Sequence, residues 1–326
     1  MERWSEKAIA FLPPGLSWRL LETADLAIAI ELAKACLEED GGLLLGAEED
    51  YVRENFLPLP SGTAVGGFDQ EGSLIAAAAV RPTPVPGAHR STVVGSVHPG
   101  HRGRGLGAAL MKWAVSSFQR ELADCASDHP HELRATSETV NDATLRLLGR
   151  HGFMPEYLAF VLQRDLGSEL RVPAGPRELT FLRWDPALAG SFFAAYENAY
   201  RDRPGFPGWS QSEWLAWLEP DDEDGLPEAT LLAECRGEPV GFVACARILE
   251  SAPEIAWVVQ VGVVPAWRRQ GIGASLMLEA LRRSCAAGAT RMMLDVATEN
   301  HGALKLYETL GFECIGRRGH FIRKLT

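Results

Sequence analysis

Long apolar runs, paired cysteines and an excess of positive charge are all missing from this chain, and each absence excludes something. No segment is long and apolar enough to span a bilayer as a helix. Met1-Glu2-Arg3-Trp4-Ser5-Glu6 is not followed by the apolar stretch of a signal peptide. The six cysteines (Cys36, Cys125, Cys235, Cys245, Cys285 and Cys314) are scattered, with no Cys-x-x-Cys among them. Such spacing offers neither a disulfide framework nor a zinc site, and it predicts a soluble protein of the reducing cytoplasm, without metal and without a membrane partner. A formal net charge of −11 supplies no general basic surface for phosphate backbones, which argues against a nucleic-acid partner. What is there is an ordinary globular composition, 46% hydrophobic and 23% charged, over 326 residues. That length accommodates two domains of about 150 residues each.

The chain also repeats itself. Val97-His98-Pro99-Gly100-His101-Arg102-Gly103-Arg104-Gly105-Leu106-Gly107-Ala108 has a counterpart in Val263-Val264-Pro265-Ala266-Trp267-Arg268-Arg269-Gln270-Gly271-Ile272-Gly273-Ala274. A strand-like run precedes each stretch and a helix-like run follows it. Downstream, Asn141 stands 11 residues before Gly152-Phe153, and Asn300 stands 11 residues before Gly311-Phe312. The same signals in the same order mean two copies of one domain. We place them at 1–166 and 178–326, joined by the Gly/Pro-rich stretch 167–177. Motif to motif is 166 residues, but Gly-Phe to Gly-Phe is 159, so seven residues are extra in the first copy, around 127–131. His129 and His131 fall there on either side of Pro130, and without an acidic-histidine cluster nearby they predict a solvated loop rather than a metal site.

Arg-x-x-Gly-x-Gly between a strand and a helix has a direct physical reading. Glycine lets the backbone approach a ligand, and the helix behind it presents unpaired N–H groups and a positive dipole end suited to a pyrophosphate. The arginine adds positive charge in an otherwise acidic chain. The glycines lack the Gly-x-Gly-x-x-Gly spacing of a dinucleotide fold, and no Gly-Lys-Ser/Thr follows as in a P-loop. At these residues the sequence resembles the GNAT superfamily of N-acetyltransferases, whose motif is Gln/Arg-x-x-Gly-x-Gly/Ala. The resemblance implies an α/β fold of two tandem domains, each a mixed, largely antiparallel sheet flanked by helices. It further implies that each loop holds the pyrophosphate of acetyl-CoA while the preceding strand pairs with the pantetheine arm. The implied contacts are Val97, Arg102, Gly103, Arg104, Gly105, Leu106, Gly107, Ala108 and Asn141 in the first copy. In the second they are Val263, Val264, Arg268, Arg269, Gln270, Gly271, Ile272, Gly273, Ala274 and Asn300.

The copies differ where chemistry is expected. Asn300 to Phe312 resembles the family's Asn…Ala-x-x-Leu-Tyr-x-x-x-Gly-Phe signature, in which the tyrosine, here Tyr307, protonates the departing thiolate. A phenol is neutral near pH 7 and can donate to sulfur. The first copy has Leu148 at that place, and Tyr157 lies beyond it on the next strand. The second domain is therefore expected to carry catalysis, while the first either binds CoA without turnover or shapes the acceptor site.

The implied reaction is direct attack of a neutral amine on the thioester, with the oxyanion held by a backbone N–H near Val263 or Val264. Glu254, ahead of that strand, either relays a proton as base or is a solvated charge. No cysteine has a sequence neighbourhood that suggests a histidine partner for a covalent route. The acceptor is expected to be a small-molecule amine bound near 200–214. Ser210 and Glu213 form a capping box there, Trp214, Trp217 and Leu218 share a core-facing stripe, and Trp209 is either a pocket wall or packing. Asp221-Asp222-Glu223-Asp224 reads as a solvated loop. A non-catalytic acetyl-CoA-binding protein and a tRNA-dependent aminoacyl ligase are the rival readings, the second disfavoured by the acidic balance.

Overall fold

Leu74 to Val80 is an almost unbroken apolar run, and it is buried throughout. Such a run makes a strand covered on both faces. A computed structural model of the chain describes residues 12–57, 62–83, 88–123, 130–167, 178–202, 208–218, 225–249 and 251–325. In chain order these form β1 (Ser17–Leu20), α1 (Leu26–Asp40), α2 (Glu49–Phe56), β2 (Thr63–Phe68), β3 (Leu74–Pro82), β4 (His89–Val97), α3 (Leu106–Ala123), β5 (His131–Ser137), α4 (Asp142–Arg150) and β6 (Met154–Asp165). The order then repeats as β7 (Leu179–Arg183), α5 (Ala189–Tyr200), α6 (Gln211–Leu218), β8 (Leu231–Cys235), β9 (Glu238–Ala246), β10 (Ile255–Val263), α7 (Ile272–Ala286), β11 (Arg291–Ala297), α8 (His301–Thr309) and β12 (Glu313–Leu325). Among the described residues no helix is long and apolar enough to cross a membrane.

Two compact units result. Unit 1 runs to Val161 and resumes from Ile315, and unit 2 is Leu162–Cys314. Within unit 1, β1 to β4 pair antiparallel in sequence order, β4 and β5 are parallel, and β12 closes against β5 antiparallel. Unit 2 repeats the pattern, with β7 to β10 antiparallel and β10 parallel to β11. The mixed, largely antiparallel sheet expected from the sequence is thus present in each unit. In β3 the alternation of side chains sorts the core into two layers. Ile75, Ala78 and Val80 pack with Leu110, Trp113 and Phe118 of α3. Leu74, Ala77 and Ala79 pack with Leu32 and Cys36 of α1 and Phe56 of α2. In unit 2 the capping box starts α6 as expected, with Glu213 N–H donating to Ser210 Oγ and Ser210 N–H donating to Glu213 Oε2.

The boundary drawn from the sequence does not follow the last strand. The reading 178–326 keeps β12 with the second copy, whereas Gly319 to Leu325 pair residue by residue with Ser137 to His131 of β5. Phe321, 1% exposed, sits in one core cluster with Leu133, Leu148 and Phe153. Residue periodicity identifies a strand but not the sheet that receives it. The linker 168–177 lies outside the described residues, as do His129 and Asp221-Asp222-Glu223-Asp224.

Two outcomes follow from β12. Phe321→Ala opens a cavity in unit 1 and is expected to cost about 3–5 kcal/mol, read as a lower midpoint of urea unfolding. His320 accepts or shares a hydrogen bond with Thr136 Oγ1 at 3.3 Å and stacks on Tyr157. Burial, with Arg134 and Arg318 adding to it, pushes its pKa down to about 4 from 6.5. The unfolded chain therefore takes up this proton before the folded one does. Stability is expected to be full above pH 6.5 and to fall as the pH drops from there toward 4, and His320→Gln should flatten that slope in midpoints measured across the range.

Candidate active site

In both copies the parallel strand pair is joined at one end and parts at the other. β4 and β5 are in register from His89↔His131 to Val93↔Ala135, and no further. β10 and β11 are in register only from Ile255↔Arg291 to Trp257↔Met293. The backbone edges past those points have no strand between them, and the motif loop hangs on the far end of each. β3 and β4 pair without a break from Ala76↔Val97 to Pro82↔Ser91. β9 and β10 instead shift register between Val258 and Gln260. This β-bulge kinks the open stretch of the second copy alone, and bulges re-aim backbone groups.

The loops are built alike. Gly271 takes φ +82° as N-cap of α7, and Gly105 takes φ +84° ahead of α3. A side chain there would be strained, and no side chain of the described residues caps α7. Nothing lies within 4 Å of a Cβ built on Gly103 or Gly105, so the space beside the loop is open. Arg269 replaces Gly103 in the second copy and still holds φ +61°. The last glycine of the first motif has a different purpose. A Cβ on Gly107 would stand a tight 3.1 Å from Leu147, so this glycine lets α3 and α4 approach, whereas one on Gly273 would make an ordinary 3.5 Å contact with Leu306.

The motif arginines are not free cations. Arg102 Nε donates to the Val97 carbonyl at 3.0 Å, and its two terminal nitrogens grip Asp40 at 2.7 and 2.8 Å. Arg268 repeats this on the Val263 carbonyl at 3.0 Å and on Asp202 at 2.7 and 2.9 Å. Each guanidinium ties the end of the motif strand to the end of a helix, α1 or α5. Asp40 and Asp202 were missed in the sequence because they lie 62 and 66 residues upstream. An acid at the same helix end in both copies was the available signal. Arg104 and Gln270 likewise donate to loop carbonyls, of Gly100 and Ala266.

Asn141 and Asn300 are N-caps, accepting from the Thr144 and Ala303 N–H groups. Asn141 Nδ2 also donates to Asp40 at 2.8 Å. In unit 1 the strand gap opens into a cavity of about 460 Å³, within the size of small-ligand sites. Val97, Arg102, Gly103, Gly105, Leu106, Gly107, Ala108 and Asn141 all line it, and Arg104 does not. Leu148 lines it too, on α4. By the repeat, Tyr307 occupies the matching position on α8, where it is 5% exposed and meets the Phe312 ring edge-on at 5.7 Å. Behind the cavity Tyr51 donates to Glu138, which Arg318 already holds at 2.7 Å. Cys36 lines the cavity, and burial raises its thiol pKa, which removes it as a nucleophile.

Three expected site residues are placed otherwise. Glu254 precedes the nine-residue β10 at its joined end, about 30 Å along the strand from the loop, and pairs with Arg291 at 3.3 Å. It is not brought to the open edge, so the base role falls. The Val264 N–H donates to the Val240 carbonyl at 3.0 Å and is not available to a ligand. Val263 remains, since its carbonyl faces away from β9 and its N–H points the same way. Trp209 is half-buried and stacks on Tyr196 in an aromatic cluster with Trp214 and Phe242. Packing explains it.

The cavity beside the glycine loop of unit 1, and the glycine loop with the uncapped start of α7 in unit 2, suit a phosphorylated acyl carrier. The profile of the acetyltransferase (GNAT) family matches residues 30–153 and again 188–312. The chain belongs to that family, and it is an N-acetyltransferase by class. A mycothiol acetyltransferase of Parafrankia sp. is 28% identical over 329 residues, covering 91% of this chain and 94% of its own. One from Nocardioides sp. is 31% identical over 232 residues, 66% of this chain and 74% of its own. The crystal structure of a GCN5-related N-acetyltransferase from Sphaerobacter thermophilus matches with a TM-score of 0.73 at 25% identity, over 96% of both chains. A tandem GNAT protein from the clavulanic acid biosynthesis pathway shares the fold, with a TM-score of 0.62 at 18% identity over 95% of this chain and 98% of that one.

The tether can be separated from a phosphate contact. Arg102→Met leaves the buried Asp40 carboxylate without its cation and is expected to cost about 2 kcal/mol in the ligand-free protein, read from urea midpoints. A cation serving phosphate alone would leave those midpoints unmoved.

Proposed function

We propose that the chain transfers an acetyl group from acetyl-CoA to a primary amine of a small molecule, with the second copy as the working site. The observation that carries this is the pairing of a β-bulge with Tyr307 in the second copy, against an unbroken register with Leu148 in the first. Bound acetyl-CoA supplies the activated acyl group. The Gly271 loop and the first turn of α7 hold its pyrophosphate by backbone N–H groups. The open edge of β10 orients its arm, and backbone amides there stabilise negative charge on the carbonyl oxygen. Tyr307 Oη holds the proton that the departing sulfur takes up. The first copy holds a second acetyl-CoA in its cavity without turning it over. The relatives' names make a mycothiol-related amine the acceptor to try first.

Tyr307→Phe is expected to lower kcat about 100-fold with that amine while leaving acetyl-CoA affinity unchanged, as measured by thiol release and calorimetry. Unchanged turnover would remove the acid role. Calorimetric titration of the full chain with acetyl-CoA is expected to give two sites, and a single site abolished by Arg268→Ala would leave the first cavity to another ligand.

A further inference from the structure

The bulged edge of β10 is gripped by side chains at successive positions. Trp214, fully buried, donates its Nε1–H to Gln260 Oε1 at 3.1 Å. The Tyr200 hydroxyl donates to the Val261 carbonyl at 3.0 Å. Arg268 then takes the Val263 carbonyl. α5 packs so closely that a Cβ on Gly262 would meet Ala199 at 2.8 Å and Tyr200 at 2.9 Å. The Val261 and Val263 carbonyls thereby each accept a side-chain bond. In an extended strand a residue's N–H and C=O point to one side, so Val261 and Val263 offer the gap their N–H groups. Beside these held carbonyls, the N–H groups are the donors the edge presents to the gap. Residues 94 and 95, which match Gln260 and Val261 in the first copy, are Val94 and Gly95, on a strand with no bulge.

We propose that Tyr200, supported by the Trp214–Gln260 bond, is a positioning residue that aims the Val261 amide at the thioester carbonyl. The inference rests on the acetyl-CoA reading above. Val261 lies two residues deeper than Val263, about 7 Å farther from the pyrophosphate loop, where the acyl end of an extended arm arrives. The Val261 N–H belongs to the 260–261 peptide and its C=O to the next one. With Gln260 held through its side chain and the Val261 carbonyl held by the hydroxyl, the residue beside the bulge is anchored on both sides of its Cα, which sets where its N–H points.

The test uses the full chain with acetyl-CoA and with S-ethyl-CoA, in which a methylene replaces the carbonyl. Affinities are measured by calorimetry, and the carbonyl band of bound [1-13C]acetyl-CoA by difference infrared spectroscopy. Wild type is expected to prefer acetyl-CoA and to shift the band to lower wavenumber. Tyr200→Phe, which keeps the ring, should reduce that preference about tenfold, move the band back toward its free position and leave S-ethyl-CoA affinity unchanged. Gln260→Leu should act in the same direction. An unmoved preference and band in both variants overturns the proposal, and so does an equal loss for both ligands, which marks a merely structural role. Failure of the wild type to bind either ligand overturns the acetyl-CoA reading itself, and this one with it.

Discussion

A parallel strand pair that cannot stay paired along its whole length is the constraint on which each copy depends. Hydrogen bonds join β4 to β5 through Val93 and β10 to β11 through Trp257, and beyond those residues the edges need other partners. Exposed backbone groups in a covered sheet are costly unless something satisfies them. The protein answers with side chains on the carbonyls and leaves N–H groups facing the gap. Arg102 and Arg268, which sequence alone presents as phosphate cations, serve that answer by holding the last strand carbonyl and a helix-end carboxylate together.

Duplication makes the divergence readable. Both copies keep the tether, the positive-φ glycine and the Asn cap, all of which shape the loop irrespective of chemistry. They part company at the bulge, at Tyr307 against Leu148 and at Gln260-Val261 against Val94-Gly95. Features that shape the loop are shared, and the bulge, the tyrosine and the Gln260-Val261 pair are in one copy.

The order of elements was legible because turn glycines and apolar periods are local. Strands, helices and both loops lie where their spacing put them. Roles that depend on distant partners were not legible. Glu254 was placed ahead of the motif strand, and the nine extended residues that follow set it far from the loop. The cap that Asn141 makes with the Thr144 amide and its bond to Asp40, beside its place in the cavity wall, were not readable from spacing. Tyr200 carried no signal, since a tyrosine at a helix end says nothing about which carbonyl its hydroxyl meets. The destination of β12 was equally silent.

That destination bears on how the molecule comes into being. Unit 2 ends at Cys314, and the core of unit 1 needs Phe321 from the strand beyond it. A nascent chain emerges from its amino end, and domains ordinarily complete in that order. Here the later unit has all its residues before Phe321 emerges, and the earlier one waits for that residue with Leu133 and Phe153 short of a core partner. Vectorial translation thus seals the older of these two units after the younger.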